Sequence, residues 1–125
     1  MPRRLSVMLF ALSLVVSGCG AGDSTPSAEQ MAKYAETYPP IGKPVDYWFY
    51  THCGVENARF GGVWWVATKP LYGEAGAGDS PDGWGNPYQT GRLTVLSTQQ
   101  AVFEARGVRV TLVPSATGEP LRICA

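Results

Sequence analysis

The stretch VENARF-GG-VWWVAT, residues 55–68, decides the fold predicted for this chain of 125 residues. Its second half is rich in valine and tryptophan, which favour strands. The paired glycines Gly61-Gly62 at its centre are typical of a two-residue hairpin turn. We therefore predict a β-hairpin with strands over Val55–Phe60 and Val63–Thr68.

Four further strands are predicted on the two sides of this hairpin. Before it, residues 45–52 are dominated by aromatic and β-branched side chains. After it, residues 93–97, 101–105 and 108–113 follow one another with short polar turns between them. The last of these segments alternates between apolar and polar residues, as a half-buried antiparallel strand does. Six short strands and no long helix predict a mainly β fold: a small antiparallel sandwich, roll or barrel.

The segment between the two groups of strands, residues 70–91, is rich in glycine, proline and aspartate. Loops of this length are uncommon in compact domains unless they are functional or disordered. Trp84 and Tyr88 lie in its second half, so we predict that this half packs on the sheet as a lid.

A short helix is predicted before the first strand, over residues 27–38. Ser27 and Gln30 have the spacing of a capping box, and apolar residues recur on one face at helical spacing. Pro39-Pro40 would end the helix.

The first eighteen residues have the layout of a secretory signal. Arg3-Arg4 precede an apolar run from Leu5 to Val16, and small residues follow it. The run is about 12 residues long, which is too short for a helix that spans about 30 Å of hydrocarbon. We predict a signal peptide over residues 1–18.

The end of this segment, Val16-Ser17-Gly18-Cys19, resembles the bacterial lipobox. The resemblance implies cleavage before Cys19 and a diacylglycerol on its thiol; the alternative is a plain signal peptide that happens to be cut before a cysteine. It predicts a lipid-anchored tether with the short helix over residues 19–44 and a single β domain over residues 45–125. The protein would lie at the cell membrane and face the extracytoplasmic side.

Lipidation of Cys19 would leave Cys53 and Cys124 as the only thiols, in an oxidising compartment. We therefore predict a disulfide between them. The alternative is a reactive Cys53 beside His52, which would require Cys124 to stay unpaired.

Charge argues against nucleic acid as a partner. The chain has ten basic and ten acidic residues, and without Arg3 and Arg4 the balance is eight against ten. The remaining basic residues are scattered singly, whereas nucleic-acid binders cluster them.

Candidate residues for chemistry are few, and we predict no catalytic residue, no cofactor and no metal site. His52 is the only histidine, and no Gly-x-Ser-x-Gly motif is present. Asp79, Asp82 and Asn86 could offer oxygen ligands to a cation, but their spacing fits no EF-hand, and a solvated turn explains them better.

Four aromatic residues form a candidate ligand face. Trp64 and Trp65 are adjacent, so in a strand they point to opposite faces. One of them could join Trp84 and Tyr88 in a surface that stacks on a ligand. The alternative is that all four belong to the core beneath the loop.

A wider resemblance covers most of the domain, from about residue 47 to 103. The motifs YTHCGV (50–55), GGVWW (61–65), GWGNPY (83–88) and LTV (93–95) are similar to those of uncharacterised small secreted or lipid-anchored proteins of high-GC Gram-positive bacteria. The resemblance implies an envelope location and a single compact module, but no activity.

Three functions remain open at this point. The first choice is a non-catalytic binding module for an envelope glycan, a small ligand or a protein. A structural or assembly subunit of an envelope complex and a small hydrolase are the alternatives.

Overall fold

The computed structural model describes residues 25–124, so the predicted signal peptide and Cys19 lie outside the described residues. One helix precedes six strands. They are α1 (Ala28–Glu36), β1 (Val45–Tyr50), β2 (Val55–Phe60), β3 (Val63–Leu71), β4 (Tyr88–Ser97), β5 (Gln100–Ala105) and β6 (Val108–Pro114). No helix among the described residues is long and apolar enough to cross a membrane.

The six strands form one antiparallel sheet in the order β1-β4-β5-β6-β3-β2. The sheet curls into a nearly closed barrel, because its two edge strands, β1 and β2, approach each other. The hydroxyl of Tyr47 on β1 donates a hydrogen bond of 3.2 Å to the carbonyl of Arg59 on β2 across this seam. The prediction of a mainly β fold with about six strands and a short helix is confirmed.

Aromatic side chains fill the inside of the barrel. The ring of Tyr47 makes edge contacts with Phe49, Phe60 and Phe103, at centroid distances of 6.1 to 6.2 Å. Trp65 stacks on Phe60 at 4.6 Å. All five side chains are buried, and burial of such rings is the main favourable term for a domain of this size.

The predicted hairpin turn is present and also holds the end of the helix. Gly61 and Gly62 have φ values of 61° and 70°, which a glycine adopts without strain. Their N–H groups donate to the carbonyls of Thr37 and Ala35 at 2.9 and 2.8 Å. A Cβ atom on Gly61 would collide with the ring of Tyr38, so the close contact also requires glycine.

The helix begins at the predicted capping box. Gln30 N–H donates to Ser27 Oγ at 3.1 Å, and Ser27 N–H donates to Gln30 Oε1 at 2.9 Å. A helix of nine residues is marginal in isolation. Packing therefore stabilises it: Tyr34 contacts the rings of Tyr47 and Trp48 at 5.9 and 5.5 Å.

The segment predicted as a loop over residues 70–91 is shorter in the structure and spans residues 72–87. β4 already begins at Tyr88, because its first half pairs with β1 and Tyr88 lies opposite Tyr50. Backbone pairing of this kind does not require alternating apolar side chains, so the apolar periodicity of the sequence could not reveal the first half of β4. Gly91 in this half leaves no room for a side chain, since a Cβ atom would collide with the carbonyl of Glu104 and the ring of Phe103.

Candidate functional site

A groove of about 520 Å³ runs along the seam between β1 and β2, and we name it the seam groove. Helix α1 contributes Met31 and Ala35 to its lining. The segment after β6, residues 119–124, contributes Pro120 and Ile123. Its volume lies within the usual range for sites that bind small molecules, about 300 to 1,000 Å³.

Aromatic rings line much of the seam groove. Tyr50 and Tyr88 lie opposite each other on β1 and β4, with ring centroids 5.4 Å apart. The guanidinium of Arg59 lies over the ring of Trp64, 5.4 Å from its centroid. Flat rings with polar groups at their edges can stack on a ligand and orient it by hydrogen bonds.

A buried carboxylate belongs to the same groove. Glu56 accepts a hydrogen bond of 2.8 Å from the hydroxyl of Tyr72, and Arg122 Nε lies 3.3 Å from the same oxygen. Burial raises the pKa of the Tyr72 hydroxyl, and its hydrogen bond to Glu56 raises this pKa further. The hydroxyl therefore remains a donor, and the buried carboxylate has both a donor and a cation beside it.

The alternation of β2 explains how Glu56 becomes buried, because Glu56 shares the inner face of the strand with Ala58 and Phe60. The pairing of β2 with β3 shifts register between Val55 and Asn57, and the two consecutive residues Val55 and Glu56 are both buried. In a regular strand they would point to opposite faces. Val55 is therefore the residue out of phase, and Glu56 is buried on the regular inner face of the strand.

Two hydrogen bonds, an ion pair and a disulfide fasten the C-terminal segment beside the groove. Asn57 uses its amide oxygen to accept from the N–H of Leu121 at 2.5 Å and its amide nitrogen to donate to the carbonyl of Arg122 at 3.2 Å. The Arg122 side chain pairs with Glu56. Cys124 is joined to Cys53 by a disulfide, as predicted, with Cα atoms 6.0 Å apart.

Tyr47 contributes to the bottom of the groove and keeps the seam closed. Burial raises the pKa of its hydroxyl, so the group stays protonated and donates to Arg59 over the ordinary pH range.

The four residues of the predicted ligand face lie in different places. Trp65 is in the core, whereas Trp64 and Tyr88 line the seam groove. Trp84 is half-buried and packs on the core through Phe103, at a centroid distance of 6.4 Å. The loop therefore covers the core, as a lid would, but the contact of Trp84 is with Phe103 rather than with Trp64 or Trp65.

His52 and Asp79, which were weighed for catalysis and for metal binding, have separate hydrogen-bond partners. His52 Nδ1 lies 2.9 Å from the amide oxygen of Asn86. Asp79 accepts from the N–H of Ala75 within its own loop, at 3.1 Å. Among residues 25–124, no group of three His, Cys, Asp or Glu side chains is placed to hold a metal ion.

Tyr50, Asn57, Arg59 and Arg122 are among the groove residues that sequence reasoning missed. A signal for Tyr50 is present in β1, where a period of two puts Tyr47 and Phe49 on the inner face and Tyr50 on the outer face. Arg122 lies far along the chain from Glu56, and local patterns carry no signal for that pairing.

The seam groove thus combines aromatic rings, two guanidinium groups and a buried carboxylate in one cavity. Such a set can bind a ligand through stacking and hydrogen bonds without any covalent chemistry. Comparisons with protein-family models, curated proteins and solved structures find no match to this chain.

Proposed function

We propose that this protein is a lipid-anchored, non-catalytic binding module of the cell envelope and that the seam groove is its ligand site. The observation that carries the binding role is the groove itself, with Tyr50, Trp64 and Tyr88 along its lining. The lipid anchor rests on the lipobox at residues 16–19.

The ligand that suits the groove best is a glycan of the envelope. Sugar rings have an apolar face that stacks on aromatic side chains and hydroxyl groups around their edges. Asn57, Arg59 and Glu119 lie in the groove lining and offer donors and acceptors for such hydroxyls.

A protein partner is the second candidate, and one observation favours it. Ile123 and Leu121 on the C-terminal segment are 84% and 55% exposed. Apolar side chains next to a groove can extend a contact surface onto a partner protein.

The glycan site makes a direct prediction. The double variant Tyr50→Ala/Trp64→Ala should bind purified Gram-positive peptidoglycan at least about tenfold more weakly, because it loses two stacking rings. Cosedimentation of the detergent-solubilised mature protein with peptidoglycan measures this. Val63→Ala is the matched control, because Val63 is exposed, adjoins Trp64 in the chain and does not line the groove.

Equal binding by the parent and the double variant would exclude the groove as the glycan site. Absence of peptidoglycan binding in the parent would overturn the proposal that the ligand is a glycan and would favour a protein partner.

The anchor makes a separate prediction. Cys19→Ala should abolish incorporation of labelled palmitate and release the protein from the membrane fraction, because a thioether to diacylglycerol needs the thiol. Cys53→Ala is the control, since it also removes one sulfur and should leave labelling intact. Unchanged labelling of Cys19→Ala would show that the lipobox interpretation is wrong.

A further inference from the structure

The first described residues of the chain lie on a second cavity, distinct from the seam groove. Thr25 lines a cleft of about 420 Å³ together with Trp48, Trp84 and Arg106. Pro26 is buried, and α1 begins two residues later at Ala28. The chain is therefore fixed to the domain from this point onward, and the cleft marks where it joins the domain.

The chain between Cys19 and this point is short. Five residues separate Cys19 from Thr25, and the six Cα–Cα steps between the two span at most about 21 Å when fully extended. A domain of about 100 residues has a radius of gyration of about 13 Å, which corresponds to a sphere about 33 Å in diameter. The path over its surface from the cleft to the opposite side is about 50 Å long. Because the tether is shorter than this path, a lipid on Cys19 keeps the cleft side of the domain near the bilayer. The opposite side of the domain cannot reach the bilayer.

The surface of the cleft has the chemistry of a membrane interface. The rings of Trp48 and Trp84 are half-buried, so part of each is accessible. Tryptophan is enriched at the level of lipid headgroups, where one part of the ring is apolar and the N–H is wet. Arg106 is exposed and forms no ion pair with any residue in the described range.

Other charges near the cleft are nearly balanced. Arg92 and Asp46 form an ion pair at 2.8 Å, and Asp82 adjoins Gly83 of the lining. Asp82 partly offsets Arg106, so the attraction to anionic headgroups is modest. The short tether therefore orients the domain, and Arg106 adds a local contact with anionic headgroups.

We propose that the cleft lined by Trp48, Trp84 and Arg106 is the face that this protein turns to a bilayer of anionic phospholipid. The proposal rests on the lipid anchor proposed above and not on the ligand of the seam groove. Tyr88 lines both cavities, so the groove adjoins the membrane-facing side.

Fluorescence quenching by brominated lipids tests this orientation. The lipidated mature protein is reconstituted into phosphatidylglycerol/phosphatidylcholine vesicles whose acyl chains carry bromine near the headgroups. We expect loss of up to about half of the tryptophan emission relative to unbrominated vesicles, because two of the four tryptophans lie at the cleft. The double variant Trp48→Phe/Trp84→Phe should lose most of this quenching, whereas Trp64→Phe should retain it.

The outcomes separate the orientation from the anchor. Protein that floats with the vesicles but is not quenched, or a double variant quenched as strongly as the parent, overturns the orientation while the anchor stands. Protein that does not float overturns both. Circular dichroism of each variant checks that the fold is retained.

A charge variant tests the contact of the cleft with the headgroups. Arg106→Glu should reduce quenching in vesicles rich in phosphatidylglycerol and should have little effect in pure phosphatidylcholine. Arg109→Glu is the matched control, because Arg109 is an exposed arginine of the adjacent strand β6 that does not line the cleft. Equal losses in the two variants would show a general charge effect and overturn the assigned face.

Discussion

The double substitution Cys53→Ala/Cys124→Ala is expected to lower the free energy of unfolding by about 4 kcal/mol. The disulfide joins residues 71 positions apart, and closing so long a loop restricts the unfolded chain strongly. Small domains have total stabilities of about 5 to 15 kcal/mol, so the loss is a large fraction of the total. Equilibrium urea denaturation of parent and variant measures it.

Reduction of the parent protein is the internal control. Dithiothreitol should shift the parent's urea midpoint to that of the double variant and leave the double variant unchanged. A double variant within about 1 kcal/mol of the oxidised parent would contradict the stabilising role of this bond. The same variant should also weaken binding of the glycan proposed as ligand, because Asn57 and Glu56 alone would hold the C-terminal segment beside the groove.

Local patterns in the sequence were sufficient for most of the secondary structure. The glycine pair at residues 61–62 fixed the central hairpin, and the alternation in residues 108–113 matched β6. The capping box of Ser27 and Gln30 placed the start of α1. Each of these signals depends on residues within a few positions of one another, which is the range over which backbone preferences act.

The closure of the barrel and the seam groove depend on contacts between distant parts of the chain. The hydrogen bond from Tyr47 to Arg59 and the pairing of Glu56 with Arg122 have no local signature. Glu56 shares the buried face of β2 with Ala58 and Phe60, and its carboxylate finds its partners there in the distant residues Tyr72 and Arg122. The number of cysteines and the predicted oxidising compartment, rather than any local pattern, predicted the disulfide that fastens the C-terminal segment beside the groove.

Trp65→Ala is expected to lower the free energy of unfolding by about 3 to 5 kcal/mol, as truncation of a large core side chain does. Trp65 is 1% exposed and stacks on Phe60 at 4.6 Å, so its loss leaves a cavity inside the barrel. Its neighbour Trp64 lines the seam groove instead, with Arg59 over its ring. Trp64→Ala should therefore lower the free energy of unfolding by about 1 kcal/mol or less, while it weakens binding of the glycan proposed as ligand.

Trp65→Phe distinguishes loss of volume from loss of the indole. Phenylalanine keeps an aromatic ring against Phe60 and removes the Trp65 N–H, which is buried and has no hydrogen-bond partner among the described residues. Because no hydrogen bond is lost, the phenylalanine variant should be clearly more stable than Trp65→Ala. Urea denaturation of the three variants measures the order, and equal losses for Trp64→Ala and Trp65→Ala would contradict the placement of these two neighbours on opposite faces of β3.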